Sequence, residues 1–221
     1  MFIKKLEAVI FDLDGTLVHT KPEYRHEVVG STLVELKRGY LKKDIDNLNK
    51  EIDDFWFGSE DARARIITEK WGLDPEGEFW PTFRKYDTIE LRKEHTQPYP
   101  DVGILSELKD RGTKTGIVTS APEHILNLEI GMLNHKFDAV LRAQLDLGFQ
   151  KKPHQQALLR CFDLLGVSKD RGCYVGNSPE DMLMAKNTGT PGMLVLRGEY
   201  DYGEVESDLA IYSLQPLKLF T

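Results

Sequence analysis

The chain has 221 residues, a length typical of one or two domains, and its 40% hydrophobic and 29% charged content is that of a folded globular protein. Acidic residues outnumber Lys and Arg by 36 to 29. This argues against a general nucleic-acid binder, because such a protein needs an excess of Lys and Arg to neutralise phosphates. No apolar run reaches 18 residues and no secretory leader is recognisable, so we expect neither a membrane span nor export. Two cysteines without a CxxC pair predict no disulfide framework, no zinc site and a reducing, cytoplasmic location.

Short apolar runs alternate with amphipathic stretches along most of the chain. The first run, Ala-Val-Ile-Phe at residues 8–11, ends at Asp12 and is typical of a buried strand. Further strands are predicted at residues 115–119, 139–141, 173–175 and 193–196, and helices at residues 102–111, 122–133, 153–165 and 179–188. Because strands alternate with helices, we predict an α/β fold with a doubly wound, Rossmann-like parallel sheet.

Residues 19–97 break this alternation, because they contain no convincing strand. They include all three tryptophans, and helical patterns are predicted at residues 23–36, 43–55, 59–71 and 76–93. We therefore expect an all-helical cap domain with its own small core, inserted after the first strand. The predicted domains are an α/β core formed by residues 1–18 and 98–221 and a helical cap formed by residues 19–97.

Two aspartates follow the first predicted strand, in the run Asp12-Leu13-Asp14-Gly15-Thr16. Carboxylates clustered at the end of a buried strand need a cation or hydrogen-bond donors, and Gly15 lets the backbone turn close to a ligand. Ligands of open α/β sheets bind beyond the carboxyl ends of the strands, where these side chains are expected. Taken alone, a simple Asp-Gly turn explains the pair at least as well.

Polar residues also follow other predicted strands. Thr119 and Ser120 place two hydroxyls just past a strand, where they either hold an anionic oxygen or cap a helix. Lys152 offers a cation to a phosphate, although a solvated Lys-Lys pair is common at surfaces. The run Gly-Asn-Ser-Pro-Glu-Asp at residues 176–181 brings Asn177 and Asp181 onto one loop, which indicates either an oxygen-rich Mg²⁺ site or a helix cap.

Together and in this order, these segments resemble the four motifs of the haloacid dehalogenase-like hydrolase superfamily, specifically its helical-cap branch of phosphatases and phosphomutases, which includes phosphoglycolate phosphatase-like members. The resemblance covers nearly the whole chain. The family's aspartate-x-aspartate-Gly-Thr motif matches residues 12–16, its Thr or Ser matches Thr119, its Lys matches Lys152, and its Gly-Asp-Ser-x-x-Asp motif matches residues 176–181. Asn177 is a departure, because most members carry a metal-binding aspartate there. The motif of the haloacid dehalogenases themselves lacks the second aspartate. The presence of Asp14 therefore favours phosphate esters over carbon–halogen bonds as the substrate.

The resemblance implies phosphoryl transfer through an aspartyl-phosphate. Asp12 would be the nucleophile, and Asp14 would protonate the leaving oxygen and then activate water. Thr119, Ser120 and Lys152 would bind the phosphoryl oxygens. The implied metal is Mg²⁺, bound more weakly than usual because asparagine carries no charge, with its ligands supplied by Asp12, the backbone carbonyl of Asp14, Asn177 and Asp181.

The resemblance also implies a cap that closes over the site and selects the substrate. Lys21 and Arg25 would bind a second anionic group, or they are solvent-facing charges on the first cap helix. We expect a monomer or homodimer that hydrolyses a small phosphorylated metabolite, such as phosphoglycolate, a sugar phosphate or a nucleotide monophosphate. The alternatives are a phosphomutase of the β-phosphoglucomutase type and a catalytically weakened phosphate-binding regulatory module.

Overall fold

A computed structural model describes residues 5–36, 45–200, 202 and 205–221. The chain divides into two compact units, which we call the core unit (Met1–His19 and Gln97–Thr221) and the cap unit (Thr20–Thr96). Among the described residues, no helix is long and apolar enough to cross a membrane.

The strands and helices follow one another along the chain with the following bounds. The strands are β1 (Ala8–Phe11), β2 (Val18–Thr20), β3 (Thr96–Pro98), β4 (Lys114–Thr119), β5 (Ala139–Arg142), β6 (Gly172–Gly176), β7 (Gly192–Val195) and β8 (Leu209–Ile211). The helices are α1 (Pro22–Glu35), α2 (Ile45–Trp56), α3 (Glu60–Arg65), α4 (Trp80–Tyr86), α5 (Ile89–His95), α6 (Ile104–Asp110), α7 (Glu123–Leu133), α8 (Gln156–Leu165) and α9 (Pro179–Thr188).

The core unit is built on a six-stranded sheet in the order β5-β4-β1-β6-β7-β8, and all of its neighbouring strands are parallel. The chain adds strands on one side of β1 and then returns to add strands on the other side. This is the order of a Rossmann-like sheet, whose topological switch point lies between β1 and β6. The predicted α/β, doubly wound fold is confirmed.

Alternating residues of the central strand bury opposite faces of the sheet, because successive side chains of a strand point to opposite sides. Val9 and Phe11 belong to a cluster that includes apolar residues of α6 and α7. Ala8 and Ile10 belong to a second cluster, formed with α8 and α9. Both faces of β1 are therefore covered, and the first polar side chain, that of Asp12, comes directly after its last residue.

The cap unit packs its helices around an aromatic core that includes Tyr24, Phe55, Trp71 and Phe79. The helix predicted at residues 59–71 is α3 followed by a π-helical turn at Ile66–Lys70. The helix predicted at residues 76–93 is divided into a π-helical turn at Pro75–Phe79, then α4, then α5. The division occurs because the side chain of Thr88 accepts a hydrogen bond from the backbone N–H of Leu91 and starts a new helix. Residues 43 and 44 of the second predicted helix lie outside the described residues.

Three short strands were missed by the sequence analysis. β2 and β3 pair with each other at the two ends of the cap unit, so the expectation of no strand between residues 19 and 97 was wrong at its edges. The third, β8, completes the sheet beside β7. Each has only three residues, which is too few for an alternating apolar pattern to stand out.

A substitution at Gly116 on β4 tests how tightly the sheet packs against α8. A Cβ there would lie 2.8 Å from Cys161 Sγ and 3.4 Å from side-chain atoms of Ile10 and Leu165. We expect Gly116→Ala to lower the free energy of unfolding, measured by urea denaturation, by about 1–3 kcal/mol because the core becomes overpacked. Gly131→Ala on α7 is the matched control. Its new Cβ meets nothing within 4 Å, so the substitution should stabilise the protein by about 0.5–1 kcal/mol. Equal effects would contradict this packing.

Candidate active site

Asp12 follows β1 directly and lies at the carboxyl edge of the sheet. Its backbone N–H donates to the carbonyl oxygen of Val175 on β6 at 2.9 Å, so the loop leaves the sheet beside the end of that strand. The Asp12 residue is buried. It therefore lies at the topological switch point, the place where open α/β sheets bind their ligands.

The loop after Asp12 turns at Gly15, whose φ of 80° lies in the left-handed region that favours glycine. Next to it, the Thr16 hydroxyl lies 3.3 Å from Asn177 Oδ1 and 3.4 Å from Asp12 Oδ2, within donor distance of both. Asp14 is half-buried on the same loop. The hydroxyl of Thr16 thus joins the loop after β1 to the loop after β6.

The loop after β6 is shaped by a helix cap at the start of α9. Ser178 Oγ accepts a hydrogen bond from the backbone N–H of Asp181, and Asp181 Oδ2 accepts bonds from the backbone N–H and the hydroxyl of Ser178. A Cβ on Gly176 would lie 2.4 Å from the Asp181 side chain, so only glycine lets that carboxylate approach the strand end. In this helix cap the hydrogen bonds of the Asp181 carboxylate are made by Oδ2, so its Oδ1 is left for partners in the site.

Lys152 joins the two carboxylates. Its Nζ lies 2.6 Å from Asp12 Oδ1 and 2.8 Å from Asp181 Oδ1, and its side chain is only 5% exposed. The hydroxyl of Tyr174 on β6 contacts the same carboxylate, 3.1 Å from Asp181 Oδ1 and 3.0 Å from the carbonyl oxygen of Val118. The predicted residues Asp12, Lys152, Asn177 and Asp181 are therefore connected by hydrogen bonds, with Thr16 as the link to Asn177.

Burial controls the protonation of this cluster. The pKa of Asp12 is raised to about 7, chiefly by burial and further by the charge of Asp181, while the Lys152 ammonium opposes both effects. Burial alone would lower the pKa of Lys152, but the two carboxylates outweigh it and raise that pKa to about 12. Burial and the same carboxylates raise the pKa of Tyr174 well above its ordinary value. The site therefore keeps a permanent Lys152 ammonium and a neutral Tyr174 phenol beside its carboxyl groups.

Thr119 is the last residue of the neighbouring strand β4, and Ser120 follows it. Thr119 is buried, and its Oγ1 accepts a hydrogen bond from the backbone N–H of Ala121 at 3.1 Å. Ser120 is exposed, and its carbonyl oxygen accepts a bond from Gln144 Nε2 at 2.8 Å. Because β4 runs parallel to β1, both residues lie at the same edge of the sheet as Asp12.

Glu199 is a part of this cluster that the sequence analysis missed. Asn177 Nδ2 donates to Glu199 Oε2 at 2.8 Å, and the Tyr99 hydroxyl donates to Glu199 Oε1 at 3.1 Å. A signal was present, because Glu199 comes soon after the end of β7, the strand beside β6, and polar residues after strand ends were the basis of the other assignments.

The two predicted cap residues lie in different surroundings within the cap unit. Arg25 Nε donates to Asp53 Oδ1 at 2.5 Å, and its guanidinium carbon lies 4.8 Å from the centroid of the Phe57 ring. His26 shares the same carboxylate oxygen at 2.9 Å. Lys21 is exposed, just before α1. Arg25 thus has an ion-pair partner inside the cap unit, whereas the Lys21 side chain faces solvent.

The donor atoms of the core cluster fit a magnesium ion. Asp12 and Asp181 offer carboxylate oxygens, Asn177 an amide oxygen and Asp14 a backbone carbonyl, and Mg²⁺ prefers such hard ligands. Within the described ranges, no group of three or more His, Cys, Asp or Glu side chains could hold a metal by itself. Mg²⁺ commonly relies on one or two carboxylates together with water and substrate phosphate, so this donor set suits it.

Comparison with known proteins identifies the family. Residues 6–189, most of the chain, match the family model described as haloacid dehalogenase-like hydrolase. The chain belongs to the haloacid dehalogenase-like hydrolases. The resemblance carried by residues 12–16, Thr119, Lys152 and residues 176–181 is thereby confirmed at the level of the family, and the protein is an enzyme of the hydrolase class.

Several relatives match over nearly their whole length. The chain is 26% identical to a phosphoglycolate phosphatase of Chromobacterium violaceum, with 98% of this chain and 97% of that protein covered. It is 28% identical to pyrophosphatase PpaX of Halalkalibacterium halodurans, with 96% and 95% covered. Among solved structures, it is similar to a haloacid dehalogenase phosphatase from Thermococcus onnurineus, with a TM-score of 0.65, 26% identity and 97% of each chain covered.

Replacing Lys152 tests whether its ammonium compensates the buried carboxylates. We expect Lys152→Met to lower the free energy of unfolding in metal-free buffer by about 3–5 kcal/mol, because Asp12 and Asp181 lose their shared partner. Burial, which raises the pKa of Asp12, is then no longer opposed by the Lys152 charge, so folding raises that pKa further. Protonation of a buried carboxyl group stabilises the folded state at low pH, and this stabilisation is lost as the pH rises through the folded pKa. The loss should therefore be larger at pH 8 than at pH 5.

Lys151→Met, the same substitution at the exposed neighbouring residue, is the control and should change stability by less than about 0.5 kcal/mol. Urea denaturation of both variants at the two pH values gives the comparison. A loss for Lys152→Met that does not depend on pH would show that the ammonium does not compensate these carboxylates.

Proposed function

We propose that this hydrolase is a Mg²⁺-dependent phosphatase that cleaves a small phosphorylated metabolite through an aspartyl-phosphate intermediate. The observation that carries the proposal is the buried Lys152 ammonium between Asp12 and Asp181 at the switch point of the sheet. Relatives of similar length are named phosphoglycolate phosphatase and pyrophosphatase, which supports a phosphate compound as the substrate.

In the first step, a carboxylate oxygen of Asp12 attacks the phosphorus atom of the ester. A bond forms between that oxygen and phosphorus while the bond from phosphorus to the ester oxygen breaks. Asp14 donates a proton to the departing oxygen, so the product leaves as an alcohol. Asp14 suits this role because it is half-buried on the same loop, two residues beyond the nucleophile.

In the second step, water attacks the phosphorus atom of the aspartyl-phosphate. Asp14, now ionised, takes a proton from that water, and the bond between phosphorus and Asp12 breaks. Inorganic phosphate leaves and the Asp12 carboxylate is restored. The same residue thus acts as an acid and then as a base, which returns the enzyme to its starting state.

The remaining polar groups stabilise charge. Lys152 holds Asp12 in place and directs positive charge at the transferred phosphoryl group, and we propose that the hydroxyls of Thr119 and Ser120 donate to its oxygens. When bound by Asp12, the Asp14 carbonyl, Asn177 and Asp181, Mg²⁺ supplies the positive charge that lets a carboxylate approach an anionic phosphate.

Lys21 and Arg25 are the two residues of the cap unit that were predicted to contact the substrate. Recognition of a second anionic group of the substrate stays a prediction for Lys21, whereas the ion pair of Arg25 with Asp53 favours a structural role for that arginine. The monomeric or homodimeric state, the cytoplasmic location and the boundaries of the cap domain at residues 19 and 97 also stay predictions.

Phosphate release from a panel of substrates tests the proposal directly. The panel contains phosphoglycolate, pyrophosphate, sugar phosphates, nucleotide monophosphates and p-nitrophenyl phosphate. We expect release of inorganic phosphate with Mg²⁺ and its loss when EDTA replaces the metal. Release that is unaffected by EDTA would contradict Mg²⁺ dependence. Absence of turnover on the whole panel would favour the regulatory module, and isomerisation of a sugar phosphate that needs a bisphosphate primer would favour the phosphomutase.

Replacement of the nucleophile tests the covalent step. We expect Asp12→Asn to lower kcat by at least about 10³-fold, because the attacking oxygen is lost while the volume of the side chain is kept. Lys152 keeps Asp181 as its partner, so the variant should remain folded, as circular dichroism would show. Glu206→Asn, at an exposed position on the same unit, is the control and should retain full activity. An active Asp12→Asn variant would remove Asp12 from its proposed role.

A further inference from the structure

The site carries an asparagine at position 177, where most of the family has an anionic metal ligand. Asn177 is only 3% exposed, and both ends of its amide have partners. Its Oδ1 lies 3.3 Å from the hydroxyl of Thr16, the residue that also approaches Asp12, while its Nδ2 donates to Glu199 Oε2 at 2.8 Å. The orientation of the amide is therefore set by a carboxylate on one side and a hydroxyl donor on the other.

Glu199 is held firmly in this position. Its second oxygen accepts a hydrogen bond from the Tyr99 hydroxyl at 3.1 Å. Burial and the charge of Glu199 raise the pKa of Tyr99, so this phenol stays a neutral donor. Because one oxygen of Glu199 is bound by Tyr99 and the other by Asn177, the carboxylate is oriented before any ligand arrives.

The segment around Glu199 is also fastened to the loop that follows the nucleophile. Arg197 forms a two-pronged ion pair with Asp101, with both nitrogen–oxygen distances at 3.0 Å, and donates to the carbonyl oxygen of Thr16 at 2.8 Å. A Cβ on Gly15 would lie 2.8 Å from Glu199 Oε2 and 2.2 Å from Asn177 Nδ2. The carboxylate of Glu199 therefore lies directly against the backbone of the Asp14–Gly15 turn.

We propose that Glu199 is a positioning residue for the magnesium site, and that through Asn177 it supplies the negative charge that an aspartate at position 177 would carry. This inference rests on the proposed Mg²⁺-dependent function. A carboxylate that accepts the amide N–H polarises the amide and directs its oxygen, not its nitrogen, towards the cation. Hydrogen-bonded groups behind metal ligands commonly change metal affinity by about 10- to 100-fold.

The charge of the cluster supports this assignment. Lys152 offsets one of the two carboxylates that it bridges, so Asp12 and Asp181 together leave about one net negative charge when both are ionised. Glu199, bonded to Asn177, adds another negative charge behind that residue. The chain thus obtains the charge of the usual motif from the end of β7 and not from the end of β6.

Calorimetric titration of Mg²⁺ into the substrate-free protein tests the proposal without using activity. We expect Glu199→Gln to weaken Mg²⁺ binding by about 10- to 100-fold, because Gln keeps the size of the side chain and an acceptor oxygen for Asn177 but removes the charge. The double variant Asn177→Asp with Glu199→Gln returns one carboxylate to the pair, and its affinity should come back to within about 3-fold of the wild type. Glu206→Gln, at an exposed glutamate, is the matched control and should bind Mg²⁺ as the wild type does.

The outcomes separate this inference from the proposed function. If the wild type binds Mg²⁺ and Glu199→Gln binds it equally well, Glu199 has no role at the metal, and the proposed function stands. If the single variant is weakened but the double variant is not restored, the charge at position 177 is not what Glu199 replaces, and the inference is overturned. If the wild type binds no Mg²⁺ with or without phosphate, the metal dependence of the proposed function fails as well. Melting temperatures in EDTA confirm that each variant is folded.

Discussion

A single buried ammonium, that of Lys152, lies between two carboxylates that come from distant parts of the chain. Both carboxylates are buried and bonded to this ammonium, and removing charges from water is costly unless they are paired. Much of the surrounding structure serves this contact. Gly176 leaves room for Asp181, the cap at Ser178 occupies its other oxygen, and the Tyr174 hydroxyl lies beneath the pair. The sheet contributes by ending β1 and β6 side by side at the same edge.

The predictable parts of the site are those whose functional residues lie close together in sequence, directly after a predicted strand. The aspartates at residues 12 and 14 follow a run that is typical of a buried strand, and the loop at residues 176–181 follows another such run. Parallel strands bring such ends to one edge of the sheet, so the sequence alone predicts that these two loops meet. The bridging position of Lys152 was not predictable in the same way, because it depends on a side chain reaching two carboxylates across about 30 and 140 positions of sequence.

The parts that were missed depend on contacts between loops or on single side chains. Glu199 has no motif around it, and only its pairing with Asn177 shows that it belongs to the site. The break between α4 and α5 depends on the hydroxyl of Thr88, which caps the second helix. The apolar pattern of the sequence continues across this break and does not reveal it. Arg25 has the charge of a substrate ligand, but Asp53 lies on another helix at a distance that periodicity does not reveal.

The pairing of β2 with β3 has a consequence for how the cap unit can vary. These two strands bring the ends of Thr20–Thr96 together. The segment therefore leaves and rejoins the core unit at neighbouring positions, as the loop of a hairpin does. The entropy cost of closing a loop grows only slowly with its length. Insertions, deletions or wholesale exchange of the segment between the two strands should therefore leave the register of the parallel sheet intact. The segment can therefore change in length and sequence while β1 and β6, whose ends carry Asp12 and the loop to Asp181, keep their pairing.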